Sequence, residues 1–199
     1  MSILPHLAIV PAQPLSQHFL SKLKDHLLTR LRGLEYDGDE HNYSTAKRNQ
    51  VIIVGNAIYR HKVLRINYTT YDMRRDQDSL NPRRTADFMV LGCEYEGNPD
   101  LHPYWYGRII GIFHGNIIYM GSPSCSSNSQ TIEFLWVRWL GWDPNNGYRE
   151  GWKTHRPPRV GFVPYEDKAA FGFLNLSLIL RGAHLIPCFA LGRTKQLLP

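Results

Sequence analysis

Cysteine is scarce and scattered. The three thiols, Cys93, Cys125 and Cys188, are odd in number and include no CxxC pair. That argues against a disulfide framework and a structural zinc site, and for a reducing, intracellular setting. Long hydrophobic runs are missing too. The longest candidates, Arg108–His114 and Phe173–Leu180, fall far short of the roughly 20 residues a helix needs to cross a bilayer, so no membrane-spanning role is expected. The N-terminus has no basic start and is broken by Pro5, Pro11 and Pro14, which makes a poor signal peptide. Also absent are an internal repeat, a low-complexity tract, a βαβ alternation with a phosphate loop, and a GxSxG elbow. The nine histidines contain no HxxxH pair and no His/Cys set at ligand spacing. The acidic knot Asp37–Glu40 lacks the alternating ligands and closing Glu of a calcium loop. No metal and no other cofactor is expected.

What is present is a chain of 199 residues, 43% hydrophobic and 12% aromatic, enough for one globular domain and too apolar for a disordered one. Lys and Arg number 23 against 17 Asp and Glu, a net charge of +6 that favours polyanionic partners.

Residues 1–14 read as an irregular lead-in. A helix packed on the domain follows over 15–34, with Ser16 as N-cap and Gly33 as stop. Its apolar face carries Phe19, Leu20, Leu23, Leu27, Leu28 and Leu31. Lys22, Lys24, Asp25 and Arg30 fall on the other face. Residues 35–50 are polar and read as a linker loop. From Val51 to the end the texture is β-rich, with candidate strands at 51–54, 62–71, 87–91, 106–114, 116–120 and 131–140, and turn residues between them. Val160–Val163 and His184–Phe189 read as further short strands, and Leu176–Arg181 as a short helix or a turn followed by a strand. Within 134–139, Leu135, Val137 and Trp139 form the better core face, and Arg138 must meet water or a partner. The fold class is mainly β (α+β): a small curved antiparallel sheet or partly open barrel, with an amphipathic helix in front.

Catalytic constellations are poorly supported. Ser122 reads as a turn serine. Cys93 and His114 have no spacing that argues for a nucleophile pair, and His114 reads as an edge histidine. Asp72, Asp76, Asp78 and Asp87 alternate with Arg74, Arg75, Arg83 and Arg84, which pair with carboxylates more readily than two cations would be held. Basic clusters at Arg74/Arg75, Arg83/Arg84, Lys153/Arg156/Arg159 and Arg193/Lys195 suit phosphate contacts, and Tyr71, Trp105, Trp142 and Trp152 nearby in sequence suit stacking on bases.

Several blocks appear in one order: 58–83 (IYRHKVLRINYTTYDMRRDQDSLNPR), 102–114 (HPYWYGRIIGIFH), 133–141 (EFLWVRWLG), 159–164 (RVGFVP), 171–174 (FGFL) and 181–194 (RGAHLIPCFALGRT). Together they resemble the C-terminal accessory domain of transposase-like proteins in the fungal Plavaka and KDZ (Kyakuja–Dileera–Zisupton) DNA transposon group, over nearly the whole chain from about Leu15. The resemblance implies a transposon-derived, nuclear protein and no catalysis by this segment, since the metal-holding carboxylates of such transposases lie in a separate domain. At the level of fold, YGRIIGIFH and FLWVRW are also similar to strands of the bromo-adjacent-homology barrel. Gly115-Asn116 and the short Ser/Cys tract at 124–129 interrupt what is otherwise one long apolar stretch.

The leading expectation is a non-catalytic accessory module that binds DNA or chromatin through basic loops bearing Arg74, Arg75, Arg83, Arg84, Lys153, Arg156 and Arg159. The alternative is a protein-interaction module, for a peptide or another transposase subunit, built on an aromatic groove of Trp105, Trp136, Trp139 and Trp142. An inactive relic and a small hydrolase or nuclease follow.

Overall fold

The computed structural model describes residues 16–34, 41–92, 103–121, 129–142 and 159–189. The chain is mainly β, with a large antiparallel sheet that does not close into a barrel and an N-terminal helix. Helix α1 spans Ser16–Leu31 and α2 Thr45–Arg48. The strands are β1 Val51–His61, β2 Leu64–Thr69, β3 Arg75–Leu80, β4 Asp87–Leu91, β5 Tyr104–Tyr119, β6 Gln130–Trp142, β7 Val160–Phe162, β8 Phe171–Leu174 and β9 Ile179–Gly182. The sheet runs β7-β6-β5-β4-β9, with β1 also on β5 and β8 also on β6; β2 and β3 form a separate two-stranded sheet. Among the described residues no helix is long and apolar enough to cross a membrane.

The described residues belong to two compact units. The first draws on Met1–Lys62, Gly111–Trp136 and Phe173–Leu176. Here α1 ends as its sequence suggests. Gly33 sits at φ 66°, where a side chain would be strained, and its N–H donates to the Arg30 carbonyl while that of Leu34 donates to Thr29. Leu23, Leu27 and Leu28 are buried, but Leu20 is 52% exposed. Asp25, expected on the wet face, is 3% exposed. The polar stretch 35–50 is no simple linker, because its described part turns through α2 and returns Arg48 to Asp25, with hydrogen bonds of 2.7 and 2.6 Å. Phe19 meets Trp136 and Phe173 edge-on at 5.1 and 5.0 Å, and Phe173 lies 4.5 Å from Trp136. These rings form the centre of the unit, where burial of large apolar surfaces contributes most to stability.

Strand β1 pairs antiparallel with β5, from Val51↔Tyr119 to His61↔Ile112, with an irregularity between Ile53 and Ile58 that holds Gly55 and Asn56 at positive φ. The expected break at Gly115-Asn116 does not occur. Both residues continue β5 as one strand, because Gly115 pairs with Ile58 and Asn116 accepts a 2.8 Å hydrogen bond from Thr131. His114 stacks on Tyr59 at 4.9 Å, and its Nδ1 lies 2.6 Å from His61 Nε2. Burial first, and then His61, lowers its pKa.

The second unit draws on Val63–Ile110, Val137–Gly172 and Ser177–Pro199. Asp87–Leu91 pairs with the start of β5, β9 pairs with β4, and β7 pairs with the end of β6, all antiparallel. Gly107 permits a close approach that no other residue would allow, since a Cβ there would lie 2.6 Å from Phe88 Cζ. The period-two assignment of a single core face to β6 is incomplete: residues 134–140 are buried on both faces. Arg138 takes the partner option. It is 1% exposed, donates to the Val163 carbonyl at 2.5 Å and lies 4.6 and 5.5 Å from the Phe171 and Phe162 rings. Burial lowers its pKa, a trend opposed by Tyr165 and Glu166. His184–Phe189 is not a strand: its residues enter no ladder, and Pro187 has no N–H to give one.

Candidate nucleic-acid interface

The Asp/Arg-rich stretch after β2 folds as a hairpin. Strands β2 and β3 pair in uninterrupted register from Leu64↔Leu80 to Thr69↔Arg75. The turn is closed by Thr70 N–H donating to the Arg74 carbonyl at 2.8 Å, with Met73 at φ 63°. Tyr71 and Met73 stand fully in solvent at this tip. A second turn follows β3, where the Asn81 side chain accepts from the Arg83 N–H at 2.8 Å and the Asn81 N–H donates to the Thr85 carbonyl.

Strand alternation sorts the hairpin's side chains by chemistry. One face carries Arg65, Asn67 and Thr69 from β2 and Arg75, Gln77 and Ser79 from β3, all exposed and none acidic. In its middle, Gln77 Nε2 donates to Asn67 Oδ1 at 2.6 Å. The other face carries the acids and the apolar residues, and β9 satisfies it. Asp78 accepts from the Gly182 N–H at 2.9 Å and pairs with Arg181 at 3.5 Å. Arg181 donates to the Tyr68 hydroxyl at 2.8 Å and lies 3.8 Å from its ring, while Tyr68 donates to Asp76 at 3.1 Å. Burial, and then the bond to Asp76, raises the Tyr68 pKa.

The expected pairing of the local acids with the local arginines holds at one place, Asp72 with Arg74 at 2.9 Å. The other acids find distant or non-arginine partners. Asp87 takes a bidentate pair from Arg108 at 2.6 and 2.9 Å, which raises the Arg108 pKa. Asp78 takes Arg181, and Asp76 takes Tyr68. Among the described residues, the side chains of Arg75, Arg83 and Arg84 are therefore left without a carboxylate. Nor do the arginines form one patch. Arg74 and Arg75 lie at the tip and Arg83 and Arg84 beyond the far end of β3, which rises about 17 Å between them.

Arg159 is exposed just ahead of β7 and already has an interaction partner. Lys153, Arg156, Trp152, Arg193 and Lys195 lie outside the described residues, as do Cys93, Ser122 and residues 124–128 of the Ser/Cys tract with Cys125. The four-tryptophan groove is only partly assembled. Trp105, 39% exposed, meets Trp139 edge-on at 6.4 Å, but Trp139 is buried against Phe88. Trp136 is buried and, by alternation, points to the opposite face of β6. Trp142 contributes a backbone position opposite Val160, and its side chain lies outside the described part. Among the described residues no group of three or more His, Cys, Asp or Glu is placed to hold a metal ion.

Arg65, Asn67 and Gln77 were not picked out by sequence reasoning. The available signal was the polar-out alternation of LRINYT and RDQDSL, which the dense charges of 72–84 obscured. No known protein family, curated protein or solved structure matches the chain.

Proposed function

We propose that this chain is a non-catalytic accessory module of a transposon-derived protein, acting in the nucleus by binding duplex DNA. The binding element is the β2–β3 hairpin with the turn after it. One observation carries the reading: the exposed face and both ends of the hairpin carry arginines, while Asp76 and Asp78 sit on the opposite face, engaged by Tyr68, Gly182 and Arg181. The strand face carries no carboxylate, and the one acid at the tip, Asp72, is already paired with Arg74, so Arg65, Arg75, Arg83 and Arg84 attract phosphates without a carboxylate partner of their own among the described residues. The net charge of +6 and the transposon resemblance point the same way. A peptide groove has weaker support, because Trp105 is its one substantially exposed described ring.

The test is a titration of the chain against labelled duplex at several salt concentrations. Binding should weaken linearly on a log–log plot, with a slope of about −0.9 per phosphate neutralised. Charge reversal at Arg75, Arg83 and Arg84 should weaken binding to all sequences alike and make the slope shallower by about one for each phosphate no longer neutralised. Absence of binding at low salt, from folded protein, refutes the proposal.

A further inference from the structure

The exposed hairpin face carries more than charge. Its central cross-strand pair is two amides, Asn67 and Gln77, already joined by a 2.6 Å hydrogen bond. Whichever way the amides are turned, one donates an N–H to the other, so the pair as a whole keeps free donors and a free carbonyl for an outside partner. Adenine presents the complementary set in the major groove, an acceptor at N7 and a donor at N6. Phosphates have only acceptors, so an electrostatic role alone gives no use to the amide carbonyl. Arg65 lies two residues from Asn67 on β2, and Arg75 two residues from Gln77 on β3, so the amide pair is flanked by a guanidinium on either side. Thr69 and Ser79 complete the face with hydroxyls. These side-chain types suit base edges, and none is a carboxylate that would repel the approaching backbone.

The dimensions also fit. A two-stranded ribbon is about 5 Å between strand axes, and a major groove about 12 Å wide admits one. Side chains on one face of a strand recur about every 6.8 Å, close to two base-pair steps. The strand acids Asp76 and Asp78 stay clear of the groove because they lie on the opposite face, where Tyr68, Gly182 and Arg181 engage them.

We infer that the exposed face of the β2–β3 ribbon enters the major groove of duplex DNA and reads sequence there. The Asn67–Gln77 pair is the adenine-reading element, and Arg65 and Arg75 contact the neighbouring bases or phosphates. This rests on the reading that the hairpin binds duplex DNA, and it adds base recognition to it.

The experiment is selection of bound duplexes from a random-sequence pool with the full chain, followed by titration of the enriched duplex and a scrambled one. The wild-type chain should enrich a site containing an A·T pair and prefer it by about 10-fold or more. Asn67→Ala with Gln77→Ala should abolish that preference. Affinity for the scrambled duplex and its salt slope should stay within about twofold, since neither amide neutralises a phosphate. Both residues are exposed, so the variant fold is checked by its circular dichroism. If the chain binds duplexes with a steep salt slope but enriches no sequence, or if the double variant keeps the preference, base reading is wrong and the electrostatic function stands. If no duplex is bound at any salt, both readings fall.

Discussion

Asp25 is the position where the stability of the first unit is most open to a quantitative test. Its carboxylate is almost fully buried on α1, yet it accepts two hydrogen bonds from Arg48, at 2.7 and 2.6 Å, and one from the Tyr43 N–H at 3.3 Å. The pair ties α2 to α1 across a polar stretch with little apolar surface of its own. Breaking a buried ion pair by removing one partner costs about 3–5 kcal/mol. Arg48 is 24% exposed, so a guanidinium left alone by Asp25→Ala regains part of its hydration, and a loss of about 2 kcal/mol is expected. Arg48→Ala leaves the more deeply buried partner, 4% exposed, without its counter-charge, so its loss should be larger, at about 3 kcal/mol. Urea unfolding of the wild type, both single variants and the double variant gives the coupling directly, and about 2 kcal/mol is expected. A coupling below about 0.5 kcal/mol, the range of exposed surface pairs, would show that this bridge does not dock α2 and would refute the reasoning.

Gly107→Ala should destabilise by about 1–3 kcal/mol, because its Cβ would fall 2.6 Å from Phe88 Cζ and 3.3 Å from the Arg138 carbonyl. Gly161→Ala meets nothing within 4 Å, and its effect should stay within about 0.5 kcal/mol; equal losses in thermal melts would contradict the close-packing account. His26 is held at a pKa of about 3, by burial and then by the charge of Arg30, against 6.5 when unfolded. Between those values the unfolded chain binds a proton that the folded chain does not, so stability falls as pH falls, by up to ~1.4 kcal/mol per unit. His26→Leu should flatten that dependence between pH 7 and 5 in urea titrations, and parallel curves for variant and wild type would count against it.

Much of the architecture was legible because it follows from local pattern. The leucine spacing and Gly33 mark out α1, and the β-branched and aromatic runs mark β1, β4, β5 and β6. Misreadings cluster where charge hides periodicity or where a partner is distant in sequence. Arg75–Leu80 looks like a self-neutralising Asp/Arg run, but it is a strand whose alternation puts arginine and glutamine on one face and aspartate on the other. Asp25 looks like a surface residue of an amphipathic helix until Arg48 folds back on it. Arg138 breaks an apolar strand, and nothing local reveals that Val163, Phe162 and Phe171 surround it.

Composition and periodicity by themselves determined that the chain is β-rich with a leading helix and a basic balance, because these depend on residue type and on spacings of two, three or four. Tertiary structure decided which charges are neutralised. Asp78 meets Arg181 and Asp87 meets Arg108 only because β9 and β5 lie beside β4 or the hairpin. Coulombic attraction acts through space and not along the chain, so the arginines left free for a partner are known only once the strands have been placed.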